Sequence, residues 1–287
     1  MVSAAAARKW REQLKRLLRE PMGALGLFLV LVVVLSAVFA PLISPFEPNA
    51  INIMDRLQGP DSVHFMGTDQ LGRDVFSRIL AGGRIALWVA LVAVSLSLGI
   101  GLLTGSLAVY GPKWMDNFFM LIFDVMRSFP TIMFALALVT VVGPSLNTVI
   151  VVVVVTTFPV YGRMVRTQVQ VIKNREFIAA AKARGAGIWR ILFIHTLPNI
   201  IGPLLIIASM DIPVVITIEA GLSFLGVGVK PPTPSWGSIL NDGYAYIRNT
   251  PWIIVFGGLP LIVTTLGFTF LGETLRDIFD PRLRKDM

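Results

Sequence analysis

Four stretches of this chain run for more than twenty residues without a charged side chain: Pro21–Phe46, Ile85–Pro112, Ser128–Gly162 and Asn249–Gly272. A bilayer core about 30 Å thick takes about 20 apolar residues of helix to cross, and a water-soluble domain has no place to bury four such runs. The 35 uncharged residues from Ser128 to Gly162 would make a single helix of about 52 Å, too long for one crossing. The turn-forming cluster Gly143-Pro144-Ser145-Leu146-Asn147 divides them. A fifth apolar stretch holds two acids, Asp211 and Glu219. The expected spans are therefore 22–43, 85–110, 117–142, 146–162, 200–222 and 249–272, an all-α membrane protein with six crossings. The first run follows a basic segment as a signal peptide would, but it exceeds the 7–15 apolar residues of such a leader and reads as a membrane helix.

Charge supports this assignment and orients it. Only 15% of the 287 residues are charged, against about 25% in soluble domains. The net charge of +8 would suit nucleic acid, but no basic stripe with interleaved aromatics is present. Lys and Arg instead concentrate between alternate spans. Eighteen of the 25 fall in the N-terminal segment, at Lys113, in 163–199 and in the C-terminal tail, against six in 44–84 and 223–248. By the positive-inside rule, both termini are expected in the cytoplasm.

The intervening segments differ in character. Residues 1–21 read as a basic amphipathic helix with Leu14, Leu17 and Leu18 on one side, either at the membrane surface or as a simple positive-inside anchor. Residues 44–84 form an outer loop that opens on Ser44-Pro45-Phe46-Glu47-Pro48-Asn49, which is turn chemistry. Residues 223–248 form a second outer segment whose Pro231-Pro232-Thr233-Pro234 excludes regular helix. Its Trp236, Tyr244 and Tyr246, with Trp252, suit a membrane interface. Residues 163–199 make a long inner loop. Glu176 to Arg184 is Ala-rich and predicts a helix, Gly185 and Gly187 end it, Ile188 to His195 form a second short helix, and Pro198 marks entry into the fifth span. Residues 273–287 are the cytoplasmic tail.

The chemistry present is not that of an enzyme. No Lys follows a Gly, so there is no phosphate-binding G-x-x-x-x-G-K-[ST] loop, and neither H-E-x-x-H nor G-x-S-x-G occurs. The absence of cysteine excludes disulfides, thiolate metal sites and a Cys nucleophile. Ionisable groups inside spans are functional candidates. Asp211 lies mid-span, two residues before Pro213, and reads either as pore lining facing a substrate amine or as a structural hydrogen bond to a neighbouring helix. Glu219 lies near the outer end, where snorkelling into water competes with a pore role. Asp124 and Arg127 read as a local ion pair on one helix face, His195 as a packing or capping residue, and His64 as a loop residue without assigned chemistry.

Three stretches carry a resemblance. Glu176-Phe-Ile-Ala-Ala-Ala-Lys-Ala-Arg-Gly185 followed by His195-Thr-Leu-Pro198 resembles the E-A-A-x3-G-x9-I-x-L-P loop of ABC-importer permeases. Aligned on Gly185, the leading positions are Ala179, Ala180 and Ala181, so the usual glutamate is Ala179, with Glu176 one helical turn earlier, and His195 takes the Ile position. Met66-Gly-Thr-Asp69-Gln-Leu-Gly72-Arg73-Asp74-Val-Phe-Ser-Arg78 and Leu222-Ser-Phe-Leu-Gly-Val-Gly228, continuing to Pro231-Pro232-Thr-Pro-Ser-Trp236-Gly237, are similar to signatures of the dipeptide/oligopeptide/nickel branch, the latter to its second permease subunit. The resemblance covers about residues 20–285. It implies the six-helix type I importer permease fold with a cytoplasmic coupling helix pair, in the bacterial inner membrane. It also implies a heterodimer with a homologous permease, each subunit forming half of a pore. Two ABC ATPases would dock on Glu176, Ala179, Ala180, Ala181, Gly185, Leu197 and Pro198, and would use the ATP and Mg, the chain itself binding no cofactor and no metal. An extracytoplasmic solute-binding protein would dock through Asp69, Arg73, Asp74, Pro231, Pro232 and Trp236, and Asp211 and Glu219 would line the substrate path. Cargo implied by the branch ranges over dipeptides, longer peptides, glutathione and nickel chelates. A secondary transporter or channel is the competing assignment; it would want more intramembrane carboxylates and has no need of a long helical inner loop. An intramembrane enzyme would want a paired carboxylate, a Ser/His pair or a metal cluster.

Overall fold

Backbone polar groups inside a bilayer must be satisfied within the segment that carries them, which leaves helix as the only open-chain solution. The computed structural model describes residues 12–279 and is helical across every apolar stretch. The only β pairing among the described residues is an isolated bridge between Thr68 and Asp74. The helices are α1 (Pro21–Val38), α2 (Val75–Tyr110), α3 (Lys113–Ser128), α4 (Thr131–Val142), α5 (Leu146–Lys173), α6 (Glu176–Ala183), α7 (Leu197–Phe224), α8 (Trp236–Ala245) and α9 (Trp252–Phe279). Residues 1–11 of the basic N-terminal segment and the end of the tail lie outside the described residues. Residues 12–19 are helical, with Leu17 buried and Leu14 and Leu18 exposed.

Five helical runs are long and apolar enough to cross a membrane: α1, α2, α5, the run Ile188–Phe224 that contains α7, and α9. The expected third span, 117–142, is instead two helices, α3 and α4, bent by 92°. The break is local chemistry. Phe129 precedes Pro130 and is pushed into extended geometry, φ −93° and ψ 134°, and Pro130 has no N–H to continue the ladder. Counting the bent pair as one crossing restores six.

Three boundaries also differ from expectation, each because a polar side chain was satisfied rather than excluded. α2 begins ten residues early because Asp74 caps it, accepting from Ser77 N at 2.7 Å and Ser77 Oγ at 2.6 Å. α5 runs on to Lys173 because its first two arginines find acids on α3: Arg163 meets Asp124, displacing the expected Asp124–Arg127 pair, and Arg166 grips Asp116 through Nε at 2.6 Å and Nη2 at 2.7 Å. The second short helix does not stop before Pro198. Ile188–Arg190 continues through a π-helical segment, Ile191–Thr196, directly into α7. Widening the turn there admits a proline at 198, and Asn199 Nδ2 donates to the His195 carbonyl at 2.6 Å.

The described residues form two compact units, one of 12–90, 144–146 and 209–279, the other of 91–143 and 147–208. In the first, α1 lies against α9 at glycine contacts: Gly26 faces the backbone at Gly267 and Leu271, so close that a methyl group would not fit. In the second, α2 and α5 meet where Gly101 and Gly105 face Tyr161 and Gly162, while Phe123 of α3 packs over Gly162. The Ser97 and Thr157 hydroxyls join α2 to α5 at 2.6 Å.

Candidate functional site

The signatures at 67–74 and 222–237 fold onto one another within the first unit. Asp69 Oδ1 accepts from the N–H groups of Leu71 and Arg73 at 2.9 and 3.0 Å, closing a tight turn. Its Oδ2 takes Arg73 Nε at 2.6 Å and faces Arg78 Nε at 3.4 Å. Both arginines reach on to Asp242 of α8, at 3.4 and 3.8 Å. Those contacts are long, and burial pushes the Asp242 carboxyl above its ordinary range despite the pull of Arg78 and Arg73. Gly72 closes the same turn at φ +70°, with the Asn52 carbonyl 1.7 Å from where a Cβ would stand. His64 Nδ1 meets Asp74 Oδ1 at 2.9 Å, so the imidazole has a structural partner. Outside this cluster, the exposed Asp61 carboxyl is held below the usual carboxylate range by the N–H groups of His64 and Val63.

The second signature locks against the same helix. The Trp236 indole donates to the Ile79 carbonyl at 3.0 Å and its ring lies over Gly82 and Gly83. Ser235 caps α8 in a reciprocal capping box with Ser238. Asp69, Arg73, Asp74 and Trp236 are therefore buried. Within this chain they pack into the loop and hold it, rather than standing out at the surface as a docking face would. Pro231 and Pro232 are exposed. Asp242 joins this cluster without any pattern in the sequence to announce it.

Glu219 also departs from expectation. It does not snorkel: it is fully buried, with Oε1 accepting from the Ser223 hydroxyl at 2.7 Å. Ser223 Oγ in turn accepts from Val229 N at 3.1 Å, tying the end of α7 to the loop that follows. Asp211 is half-buried and engaged in an interaction of its own. Neither acid lines the cavity of about 300 Å³ between α7 and α9, whose polar groups are Thr217, Thr265 and Thr269. Thr217 donates to the Pro213 carbonyl at 2.8 Å.

In the second unit, α6 appears where the Ala-rich stretch predicts it. Its end is a complete Schellman motif. Ala186 N donates to the Ala181 carbonyl at 3.1 Å and Gly185 N to the Lys182 carbonyl at 2.9 Å, with Gly185 at φ +80°. Ile178 and Ala181 face inward and are buried, while Glu176, Ala179, Ala180 and Gly185 are exposed. Ala181 thus belongs to the packing side of this helix, and the others are open to solvent. Pro198 is exposed and Leu197 half-buried. Sequence reasoning passed over Trp189 and Phe193, which stack with ring centres 6.0 Å apart on the exposed side of the run after α6.

Comparison with known proteins agrees with these features. Residues 97–285 match the family described as the inner membrane component of binding-protein-dependent transport systems, and residues 9–60 match the N-terminal transmembrane domain of oligopeptide transport permease C. The chain is 38% identical over 279 residues to the dipeptide transport system permease protein DppC of Alkalihalophilus pseudofirmus, covering 97% of this chain and 92% of that one. It is 39% identical over 277 residues to the glutathione transport system permease protein GsiD of Pectobacterium atrosepticum, covering 96% and 92%. A chain of the inward-facing MetNI methionine ABC transporter, in its CY5 native crystal form, shares the fold with TM-score 0.55 at 22% identity, over 70% of this chain and 96% of that one. The chain belongs to the inner membrane components of binding-protein-dependent ABC transport systems: it is a multi-pass permease subunit, and the ATPase is a different chain.

Proposed function

We propose that this permease forms half of the pore of an importer for dipeptides, short peptides or glutathione, in a heterodimer with a homologous permease and driven by two ABC ATPases. The cargo class follows the relatives named for dipeptide and glutathione transport. The observation that carries the coupling assignment is α6, a short helix with one buried and one exposed face, ended by a glycine cap and followed by a helix that runs unbroken into α7. A displacement of the exposed face, at Glu176, Ala179, Ala180 and Gly185, passes through the short Gly185–Gly187 turn and then along unbroken helix, through the π-helical segment, Leu197 and Pro198, into a membrane span. Closing of the ATPase pair then moves α7, and a packed bundle with two arrangements converts that motion into alternating access.

In this assignment both termini and α6 are cytoplasmic, in accord with the Lys and Arg distribution. ATP and Mg are used by the ATPases. The solute-binding protein docks on the outer side, where Pro231 and Pro232 are exposed. Asp211 and Glu219 belong to the α7 side of the substrate path, Asp211 as a candidate for a substrate amine and Glu219 as the group that holds the outer end of α7 in place.

The test is uptake of labelled dipeptide or glutathione by proteoliposomes holding the complete transporter and its binding protein. Wild type is expected to accumulate cargo with ATP. Gly185→Pro is expected to keep hydrolysing ATP while uptake is lost, because proline cannot adopt φ +80°. Normal uptake by that variant removes the coupling role of α6, and cargo movement by the isolated chain removes the ABC assignment.

A further inference from the structure

The second unit holds a cavity of about 290 Å³ where the end of α2, the start of α3 and the last turns of α5 meet. Its polar lining is Lys113, Asp116, Arg166, Gln170, Lys173 and Asn174. Three cations share this space with one carboxylate, and that carboxylate is committed to Arg166 through two short bonds. The bidentate pair fixes α3 to α5 and makes the walls firm. Lys173 Nζ donates once, to the Val109 carbonyl at 2.6 Å, and stands 5.5 Å from the centre of the Tyr110 ring. Lys113 is exposed and has neither an ion-pair nor a hydrogen-bond partner among the described residues. After internal pairing two positive charges remain, with unused N–H donors on both lysines. The first turn of α3 opens here with no side-chain cap on its free amides, which favours an anion.

A second observation says what kind of anion. Trp114, Phe118, Leu121 and Val125 recur at helical spacing along α3, and all four are exposed. α3 thus turns an apolar stripe outward, beginning one residue after Lys113, and it stands at 92° to α4. A helix with an outward apolar stripe, a Trp beside its first Lys and a polar face anchored to protein suits the boundary between headgroups and acyl chains. A soluble phosphate would satisfy the cations alone, whereas a phospholipid satisfies the cations and the stripe together.

We propose that this cavity binds the headgroup of an anionic phospholipid of the inner leaflet, its phosphate held by Lys113 and Lys173 and its chains lying along the Trp114–Val125 stripe. The inner placement rests on the topology given under Proposed function. Asn174 and Arg175 lead directly from the cavity to α6, so the bound lipid braces the base of that helix.

The experiment places the assembled transporter, with its ATPases, in nanodiscs of phosphatidylcholine containing a minor fraction of phosphatidylglycerol, and counts retained lipid by native mass spectrometry. Wild type is expected to keep phosphatidylglycerol in preference to phosphatidylcholine. Lys113→Gln and Lys173→Gln are each expected to weaken retention about fivefold, and Lys113→Arg to preserve it. Equal retention across these proteins overturns the proposal. Displacement of the lipid by excess inorganic phosphate overturns it in favour of a soluble-anion site, and loss of the ATPases from the Gln variants with lipid retention unchanged overturns it in favour of a protein contact. Hydrolysis stimulated by the binding protein is read on the same samples. If stimulation is intact but lipid discrimination is absent, only the lipid site falls; if the wild-type complex shows no stimulation, the functional assignment above falls instead.

Discussion

The loop 44–74 and the segment 174–198 are both polar, glycine-marked stretches between long apolar helices, and both carry family signatures, yet they are built in opposite ways. The first buries the charges of its signature. Asp69, Arg73, Asp74 and Arg78 are all buried, satisfied by one another, by Asp242 and by backbone groups. The 174–198 segment hides an apolar seam of Ile178, Ala181, Ile191 and Leu192 together with Thr196, and leaves its charged residues and the stacked Trp189 and Phe193 exposed. A motif made of buried charges and strained turns specifies a shape, since each member left unpaired in a dry site is costly. A motif made of an exposed helix face with a glycine cap leaves its own fold little to lose by substitution, and is free to answer to a partner. Two equally distinctive signatures in one chain thus report two different constraints.

The contrast breaks most readily at Asp69. Asp69→Ala leaves Arg73 and Arg78 without their shared carboxylate and is expected to cost about 3–5 kcal/mol, read as a large drop in thermal unfolding temperature in detergent. A shift no larger than that of a surface substitution would show that the cluster does not hold the loop. Next comes the same change at two glycines. Gly72→Ala meets both a forbidden φ and the Asn52 carbonyl and is expected to cost about 3–5 kcal/mol. Gly185→Ala meets open space and carries only the left-handed strain of about 1–2 kcal/mol, with uptake falling more than thermal stability. Equal losses at the two sites would erase the distinction. Trp236→Phe removes the donor to the Ile79 carbonyl and is expected to cost about 1 kcal/mol by the same unfolding assay. The smallest effect is at Glu176→Gln, where the exposed first turn of α6 loses about 0.3–1 kcal/mol of dipole stabilisation. The unfolding temperature is expected to hold while co-purification of the ATPases falls, and retention of the ATPases at wild-type level would remove Glu176 from the contact.

Much of the architecture was legible because it follows from the period and polarity of the chain. The apolar spans, the turn at 143–147, the helix over 176–183 and its glycine cap all rest on contacts within a few residues. Helix ends were misjudged where a charge was taken to mean the end of a span, as at Arg84 and Arg163, since helix continues past a charge that solvent or a partner satisfies. The break at Pro130 was signalled locally by a proline after Phe129, but an uninterrupted apolar run masked it. Of the candidate site, the exposed face of α6 was readable from its spacing. The burial of Trp236 and the Asp69 cluster was not, because their partners Ile79 and Asp242 lie more than 150 residues away; Glu219 has a local i,i+4 partner in Ser223, but that pairing does not by itself say whether the acid is buried.

By itself the sequence determined that this chain crosses a membrane as helices, that it carries no nucleotide-hydrolysing loop, and that it belongs with binding-protein-dependent permeases. Hydrophobicity, helical period and motif spacing are one-dimensional properties, so those conclusions needed no coordinates. Only the tertiary structure decided which polar residues are buried in the scaffold and which stand exposed, because burial depends on what the rest of the chain brings alongside. Asp69 and Glu176 are both acids beside basic residues in polar segments, and nothing along the chain says that one lies against Arg73 and Arg78 in a dry cluster while the other stands open to solvent.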